Sequence, residues 1–203
     1  MKAKTQEIAK GAEAVLYKTA YLGKPSVVKE RVEKKYRVQA LDERIQSQRT
    51  RLECKLLNES KKAGVRTPLV YRVDRKNASI TMEFIPGKKL RDALNEKNTR
   101  YCKQLGEWAA LLHANGIIHG DLTTSNVIVQ GKKAVLVDFG LGYFSSKLED
   151  QAVDLLGLKK TYHSTHYSVP QGWKAILQGY SKYAKSRLVV AHISEIEKRA
   201  RYS

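Results

Sequence analysis

The chain has 203 residues, 42% of them apolar and 29% charged, with only 13 Gly and 4 Pro. That composition belongs to one globular domain or two small halves, and it excludes a multi-domain array, a disordered chain and a fibrous repeat. Thirty-eight Lys and Arg against 20 Asp and Glu leave a net charge of +18. Solubility alone needs a magnitude of about 2–8, so the surface is suited to a polyanion: nucleic acid, nucleotide, acidic protein or anionic lipid.

The basic excess is spread over both halves of the chain. No apolar run approaches the roughly 20 residues of a spanning helix, so no membrane partner is expected. The opening stretch MKAKTQEIAKG carries charge without an apolar centre, unlike a secretory signal. Cys54 and Cys102 are too few for a disulfide framework or a zinc site. They fit a reducing compartment, so the expected location is cytoplasmic, with the nucleus kept open.

Residues 6–29 alternate short β-rich runs with turn residues. They predict three strands, around 7–9, 14–17 and 26–29, with turns at Gly11 and at Gly23-Lys24-Pro25. From Ala40 to Ala63 the period lengthens. Leu41, Ile45, Leu52 and Leu56 fall on one helical face, and Gly64 stops the run. Two more strands are expected at 69–73 and 79–85.

Pro86-Gly87 marks the expected boundary between residues 1–85, a sheet with one helix, and residues 86–203, a small helical half. In the second half Leu105, Trp108, Ala109 and Leu112 recur at helical spacing. Residues 127–129 and 134–137 flank Gly131-Lys132-Lys133 as a hairpin. Helices are expected near 148–160 and over 171–200, followed by a short basic tail from Glu197 to Ser203. The order predicts an α+β chain in two lobes with a cleft where they meet.

The chemistry concentrates in IIHGDLTTSNVIV, residues 117–129, and in Asp138-Phe139-Gly140 just after the hairpin. Asp121, Asn126 and Asp138 supply a carboxylate, an amide and a second carboxylate at hairpin ends. Magnesium on a polyphosphate wants such hard oxygens, with phosphate and water completing its octahedron. Asp138 and Asn126 are the expected metal ligands, and Asp121 orients or deprotonates a nucleophile.

Upstream, Lys29 ends a β-branched strand and is placed to reach nucleotide phosphates. Glu53, at the edge of the apolar helical face, is its expected ion-pair partner. Gly11, Ala12, Glu13 and Ala14 lie between the first two strands and are expected to fold over phosphates, although a single glycine is a poor match to a glycine-rich loop. Met82, Glu83, Phe84 and Ile85 end the last strand before the boundary, where backbone groups at Glu83 and Ile85 would read an adenine edge. The expected cofactors are therefore ATP and Mg2+.

These residues resemble the protein-kinase-like superfamily, with its strand lysine, helix glutamate, catalytic-loop Asp and Asn, and DFG. The resulting fold would be a two-lobed protein-kinase-like one with a minimal, truncated C-lobe. The catalytic loop reads His119-Gly120-Asp121, without the usual arginine, and no A-P-E follows DFG. A peptide-docking platform and a large helical lobe do not fit in the remaining length.

GAEA, VVKERVEKKYR, LDERI with RTRLE, the Gly64-Val65-x-x-Pro68 connector, HGDLTTSN and DFGLG are similar to one group in particular. This is the small atypical, RIO-like kinase and ATPase family that serves as the kinase subunit of the KEOPS (EKC) complex. The resemblance implies serine/threonine kinase and ATPase activity and a role in threonylcarbamoyladenosine modification of tRNA. It also implies two protein partners, a metalloprotein of the ASKHA fold and a small dimerising subunit. By analogy, Asp154 buttresses the His119-Gly120-Asp121 backbone, the alternative being a plain surface Asp.

The dense patch Lys34, Lys35, Tyr36 and Arg37 is either a contact for tRNA or partner, or a solvated connector. Two other functions stay open: a small-molecule kinase of the aminoglycoside or choline type, and a non-catalytic basic scaffold. The 77 residues after Asn126 argue against the first, and the complete residue set argues against the second.

Overall fold

The computed structural model describes residues 6–34 and 36–200. The first five residues, Lys35 of the basic patch and the Arg201-Tyr202-Ser203 end of the tail lie outside them. The described residues fall into two compact units. One lies within Met1–Glu59 and Thr67–Ile85, the other within Ser60–Arg66 and Pro86–Ser203.

The first unit is an antiparallel sheet with one long helix. Its elements are β1 (Gln6–Lys10), β2 (Ala14–Tyr21), β3 (Lys24–Arg31), α1 (Gln39–Lys62), β4 (Val70–Asp74) and β5 (Ser79–Glu83). The strand order is β1-β2-β3-β5-β4. The β2–β3 hairpin closes on the Tyr21–Lys24 pair through Leu22 and Gly23, with φ of 50° and 76°. Two positive φ values in a two-residue loop match the strand twist, so the turn needs only these residues, and β3 starts at Lys24 rather than at the expected Ser26.

Side chains alternate across a strand, so Val27, Lys29 and Arg31 share one face of β3. Val27 packs there with Ile80 and Met82, joined by Leu16, Val70, Phe84 and Cys54 of α1. Lys29 and Arg31 are thereby carried under the helix.

The buried face of α1 differs from the expected one. Leu41 is half exposed, whereas Asp42, Thr50, Glu53, Leu56, Leu57 and Ser60 are buried. The polar side chains other than Ser60, whose hydroxyl is buried without a hydrogen-bond partner, can occupy this face because they find partners. Asp42 accepts the Lys34 N–H at 2.9 Å and pairs with Arg37 at 3.0 Å, and Thr50 donates to the Gln46 carbonyl at 2.8 Å.

The second unit holds β6 (Lys88–Lys89), α2 (Leu90–Ala93), α3 (Arg100–Ala114), β7 (Ile117–Ile118), β8 (Val127–Gln130), β9 (Lys133–Leu136), β10 (Tyr143–Phe144), α4 (Leu148–Thr165), α5 (Gln171–Tyr180) and α6 (Ser186–Arg199). Its small sheets are β6-β8-β9 and β7 with β10. The expected face of α3 is borne out: Leu105, Trp108, Ala109 and Leu112 are all buried.

The region expected as one helix over 171–200 is two, α5 and α6. Between them a tight turn gives the Tyr183 N–H to the Tyr180 carbonyl and buries Tyr183, whose hydroxyl donates to Gln151 at 3.2 Å. Burial of that tyrosine outweighs helical continuity. Helix α6 returns along α4, held by Lys159–Glu197 at 2.7 Å and a short bond between His192 and Glu149. Among the described residues no helix is long and apolar enough to cross a membrane. Both cysteines are free, with Cys102 fully buried and Cys54 partly so.

Helices α3 and α5 meet backbone to backbone. A Cβ on Gly106 would sit 1.9 Å from the Ile176 carbonyl oxygen, and one on Gly179 would sit 2.0 Å from that of Lys103. Gly106→Ala or Gly179→Ala should therefore force the helices apart, costing about 1–3 kcal/mol. A thermal melt should show this as a fall of several degrees, at about 2–4 °C per kcal/mol for a chain of this size.

Candidate active site

In the first unit the expected ion pair is formed. Lys29 Nζ lies 2.6 Å from Glu53 Oε1, and both side chains are buried. The other carboxylate oxygen, Oε2, takes Arg31 Nη2 at 2.7 Å. Glu53 thus faces two cations, one of which the sequence reading missed. The signal was present, because Lys29 and Arg31 are two apart on one strand and so share a face. The bridge from α1 holds the Lys29 side chain extended, and Arg31 shares the carboxylate, which concentrates positive charge at this face. The Arg31 Nε is buried without a hydrogen-bond partner.

Gly11, Ala12, Glu13 and Ala14 form the β1–β2 turn, closed by the Gly11 N–H on the Ala14 carbonyl at 2.9 Å. The turn is tied down. Lys34 Nζ donates to the Ala12 carbonyl at 2.6 Å and pairs with Glu13 at 3.2 Å, while Arg49 reaches Glu13 at 3.5 Å. The Glu13 carbonyl accepts the Val32 N–H.

At the end of β5, Met82 is buried in the sheet cluster. The Glu83 N–H is given to the Leu69 carbonyl at 2.8 Å and its carboxylate accepts the Leu69 N–H, while the Phe84 N–H goes to the Pro25 carbonyl. The N–H groups of Glu83 and Phe84 thus serve the sheet.

In the second unit Asp121 and Asn126 come together. Asn126 Nδ2 donates to the Asp121 carbonyl at 2.8 Å and to its carboxylate at 2.9 Å. Both donor contacts engage the amide nitrogen, which leaves its oxygen as the group that could serve a cation, and hard oxygen suits magnesium. The Asn126 carbonyl in turn accepts the Val137 N–H at 2.8 Å, which ties the loop to the end of β9.

Asp138 follows with φ of 64°, an uncommon conformation for a non-glycine residue, and its carboxylate accepts the Gly140 N–H at 3.2 Å. Backbone strain of this kind, of order 1–3 kcal/mol, concentrates where side-chain aim matters. Among the described residues no group of three or more His, Cys, Asp and Glu could cage a metal alone. An ion held by Asp138 and Asn126 would share its shell with phosphate and water.

The loop itself hangs on Asp154 of α4. Its carboxylate accepts the His119 N–H at 3.1 Å and the Gly120 N–H at 2.9 Å, and pairs with His113 Nε2 at 3.2 Å. His113 Nδ1 meets the Tyr180 hydroxyl at 2.8 Å. Burial pushes the Asp154 carboxyl up, but these hydrogen bonds and the neighbouring imidazoles outweigh it and hold it below the usual carboxylate range.

His119 is fully buried against Phe139, with ring centroids 4.5 Å apart. Its Nδ1 accepts the Asp121 N–H and its Nε2 donates to the Val137 carbonyl, each at 3.3 Å. One acceptor and one donor describe a neutral imidazole. Burial, only partly opposed by Asp154, Asp138 and Asp121, lowers its pKa from the ordinary value. Gly120 has φ of 80°, and a Cβ there would strike the Leu141 carbonyl oxygen at 2.4 Å. Thr124 meets His166 Nε2 at 2.8 Å. The supporting roles of His113 and Tyr180 were not legible in the sequence.

The fold is kinase-like. It matches the solved structure described as the Rio2 kinase-ADP/Mg2+-phosphoaspartate complex from Chaetomium thermophilum, with a TM-score of 0.72 at 13% identity, over 100% of this chain and 72% of that one. The family model for the RIO domain matches residues 13–154, and the chain belongs to that family. Among its relatives is the KEOPS complex subunit Bud32 of Pyrococcus abyssi, 39% identical over 96% of this chain and 95% of that one. Another is the probable bifunctional tRNA threonylcarbamoyladenosine biosynthesis protein of Methanothermobacter thermautotrophicus, 44% identical over 97% of this chain. The chain spans only 36% of that longer relative.

Removing Glu53 leaves two buried cations unneutralised, while removing Lys29 leaves Glu53 paired with Arg31. Glu53→Ala should therefore cost about 3–5 kcal/mol, and Lys29→Met clearly less, as read from urea denaturation.

The buried histidine predicts an acid sensitivity. Since the folded pKa of His119 is lowered from 6.5, the unfolded chain binds its proton first. Its stabilisation is present above pH 6.5 and is lost as pH falls toward the folded value, at up to about 1.4 kcal/mol per pH unit. The lowered Asp154 adds a second loss, beginning below its unfolded value of 3.8. Urea midpoints at pH 7.5 and 5.5 should show the first drop, and His119→Gln should shrink it.

Proposed function

We propose that the chain is an ATP- and magnesium-dependent atypical serine/threonine kinase and ATPase that works as a subunit of the KEOPS complex in N6-threonylcarbamoyladenosine modification of tRNA. The observation that carries the reading is the Lys29–Glu53 bridge at 2.6 Å, in a chain whose RIO-domain match, residues 13–154, also includes the Asp121–Asn126 pair and Asp138. The names of its relatives supply the tRNA pathway and the complex. The longer relative carries further chain beside a stretch like this one, which supports a protein partner. We assign that role to an ASKHA-fold metalloprotein, with a small dimerising subunit as the second partner and tRNA as the candidate polyanion.

In this reading the turn Gly11–Ala14 covers the phosphates, and the segment Met82–Ile85 meets the adenine through backbone groups at Glu83 and Ile85. Lys29, held straight by Glu53, offsets phosphate charge. Asp138 and the amide oxygen of Asn126 would hold magnesium, which when bound would neutralise phosphate charge. Asp121, its carboxylate oriented by Asn126, faces the attacking hydroxyl or water and takes its proton. The bond from γ-phosphorus to the bridging oxygen breaks as the new oxygen–phosphorus bond forms, and ADP leaves.

ATP turnover by the purified chain, alone and with its partner and tRNA, tests the assignment. Asp121→Asn should lower turnover by about 10²–10⁴-fold, and Asp138→Ala should bring it to background while a thermal melt shows a folded chain. Wild-type turnover in the Asp138 variant would reject the site. Partner-stimulated turnover would support the complex, whereas turnover indifferent to partner and tRNA, with phosphate on an added protein, would favour an independent kinase.

A further inference from the structure

A net charge of +18 has to be displayed somewhere, and the segment densest in cations does not display it freely. Lys34 is bound to the Ala12 carbonyl and Glu13, and Arg37 to Asp42. One face of α1 remains strongly basic. Arg44, Gln48, Arg51, Lys55 and Asn58 are all exposed and follow at intervals of four, three, four and three residues. At about 100° per residue they lie within an arc of about 80°, and at about 1.5 Å per residue they run about 21 Å along the helix. No carboxylate shares the arc. Asp42 and Glu53 are buried, Glu43 lies about 100° away and accepts from Gln39, and Glu59 flanks the last turn half-buried.

The cations of this stripe stand about 6–10 Å apart along the axis, close to the screening length of about 8 Å at physiological salt, so their fields add. The Gln48 amide between them can donate to phosphate and sugar oxygens. At the start of the helix stands Tyr36, 77% exposed, with the Arg37 guanidinium 5.1 Å from its ring centre. Arg37 is itself pinned to Asp42 in the first turn of α1, so the ring is held at that end. An exposed aromatic just ahead of a row of cations in the chain supplies a ring for stacking and a track for a backbone. An acidic protein would need the cations but not the ring.

We propose that this face of α1, together with Tyr36, is an RNA-binding surface, with the phosphate backbone along Arg44, Arg51 and Lys55 and an unpaired base on Tyr36. The inference rests on the tRNA reading above only for its probe. Anisotropy of labelled tRNA against the full chain, over a series of KCl concentrations, tests it. Arg44→Gln with Arg51→Gln should flatten the log-affinity against log-salt slope by about 1.4–1.8 and weaken binding roughly tenfold or more near 0.1 M salt. Lys132→Gln with Lys133→Gln, both exposed where the β8–β9 hairpin turns into β9, removes the same charge and should change affinity far less. Tyr36→Ala should weaken binding of a single-stranded RNA by about fivefold or more, and of a duplex less.

Equal losses in the α1 and hairpin variants would overturn the proposal. So would a loss of polyglutamate binding with tRNA binding intact, which would assign the face to an acidic protein. ATP turnover in the same variants separates the two readings. Stripe-dependent RNA binding by a chain without turnover would sustain this surface and reject the kinase.

Discussion

One buried carboxylate organises the second unit. Asp154 takes two consecutive backbone N–H groups, from His119 and Gly120, and an imidazole. An unpaired buried carboxylate would be costly, and so would two unpaired buried N–H groups. Each therefore holds the other in place. Their bonds fix the peptide that precedes Asp121, the left-handed Gly120 turns the chain where no side chain fits, and His119 links Asp121 to Val137 through its two ring nitrogens. The aim of the Asp121 and Asn126 side chains follows from that frame, and Tyr180 extends it through His113 to α5.

The first unit repeats the logic with charged partners in place of backbone N–H groups. There one carboxylate, Glu53, is buried against two cations, and the helix that carries it also presents a basic outer face. A single helix thus separates two tasks by angle. Glu53 points inward with Leu56 and Leu57, while Arg44, Arg51 and Lys55 point outward. On the inner face Asp42, Thr50 and Glu53 are tolerated because each has a partner with good geometry, whereas the small Ser60 is buried with its hydroxyl unsatisfied, and Leu41 stays half exposed at the periphery.

Much of this was legible in the residues. The three-strand opening, the long helix, the β8–β9 hairpin and the apolar face of α3 follow from periodicity and turn chemistry, which act over a few residues. The Lys29–Glu53 pair was legible because a lysine closing a β-branched strand and a glutamate at the edge of an apolar face have complementary needs. The break between α5 and α6 was not, since it depends on the site where Tyr183 can bury its ring and reach Gln151. Arg31 was less legible because one lysine already satisfies a carboxylate, although strand alternation places both cations on one face.

The sequence by itself determined the residue types for phosphate chemistry, the order of strands and helices, and an excess of positive charge seeking a polyanion. These depend on composition and short-range spacing. Only the tertiary structure decided which charges are spent internally and which remain outside. Lys34 and Arg37 are bound by Glu13 and Asp42, Asp154 of α4 serves a loop some 35 residues earlier, and Arg44 and Arg51 stay exposed. Partners far apart in the chain become neighbours only on folding, and burial then decides whether a charge must be paired or can stay in water.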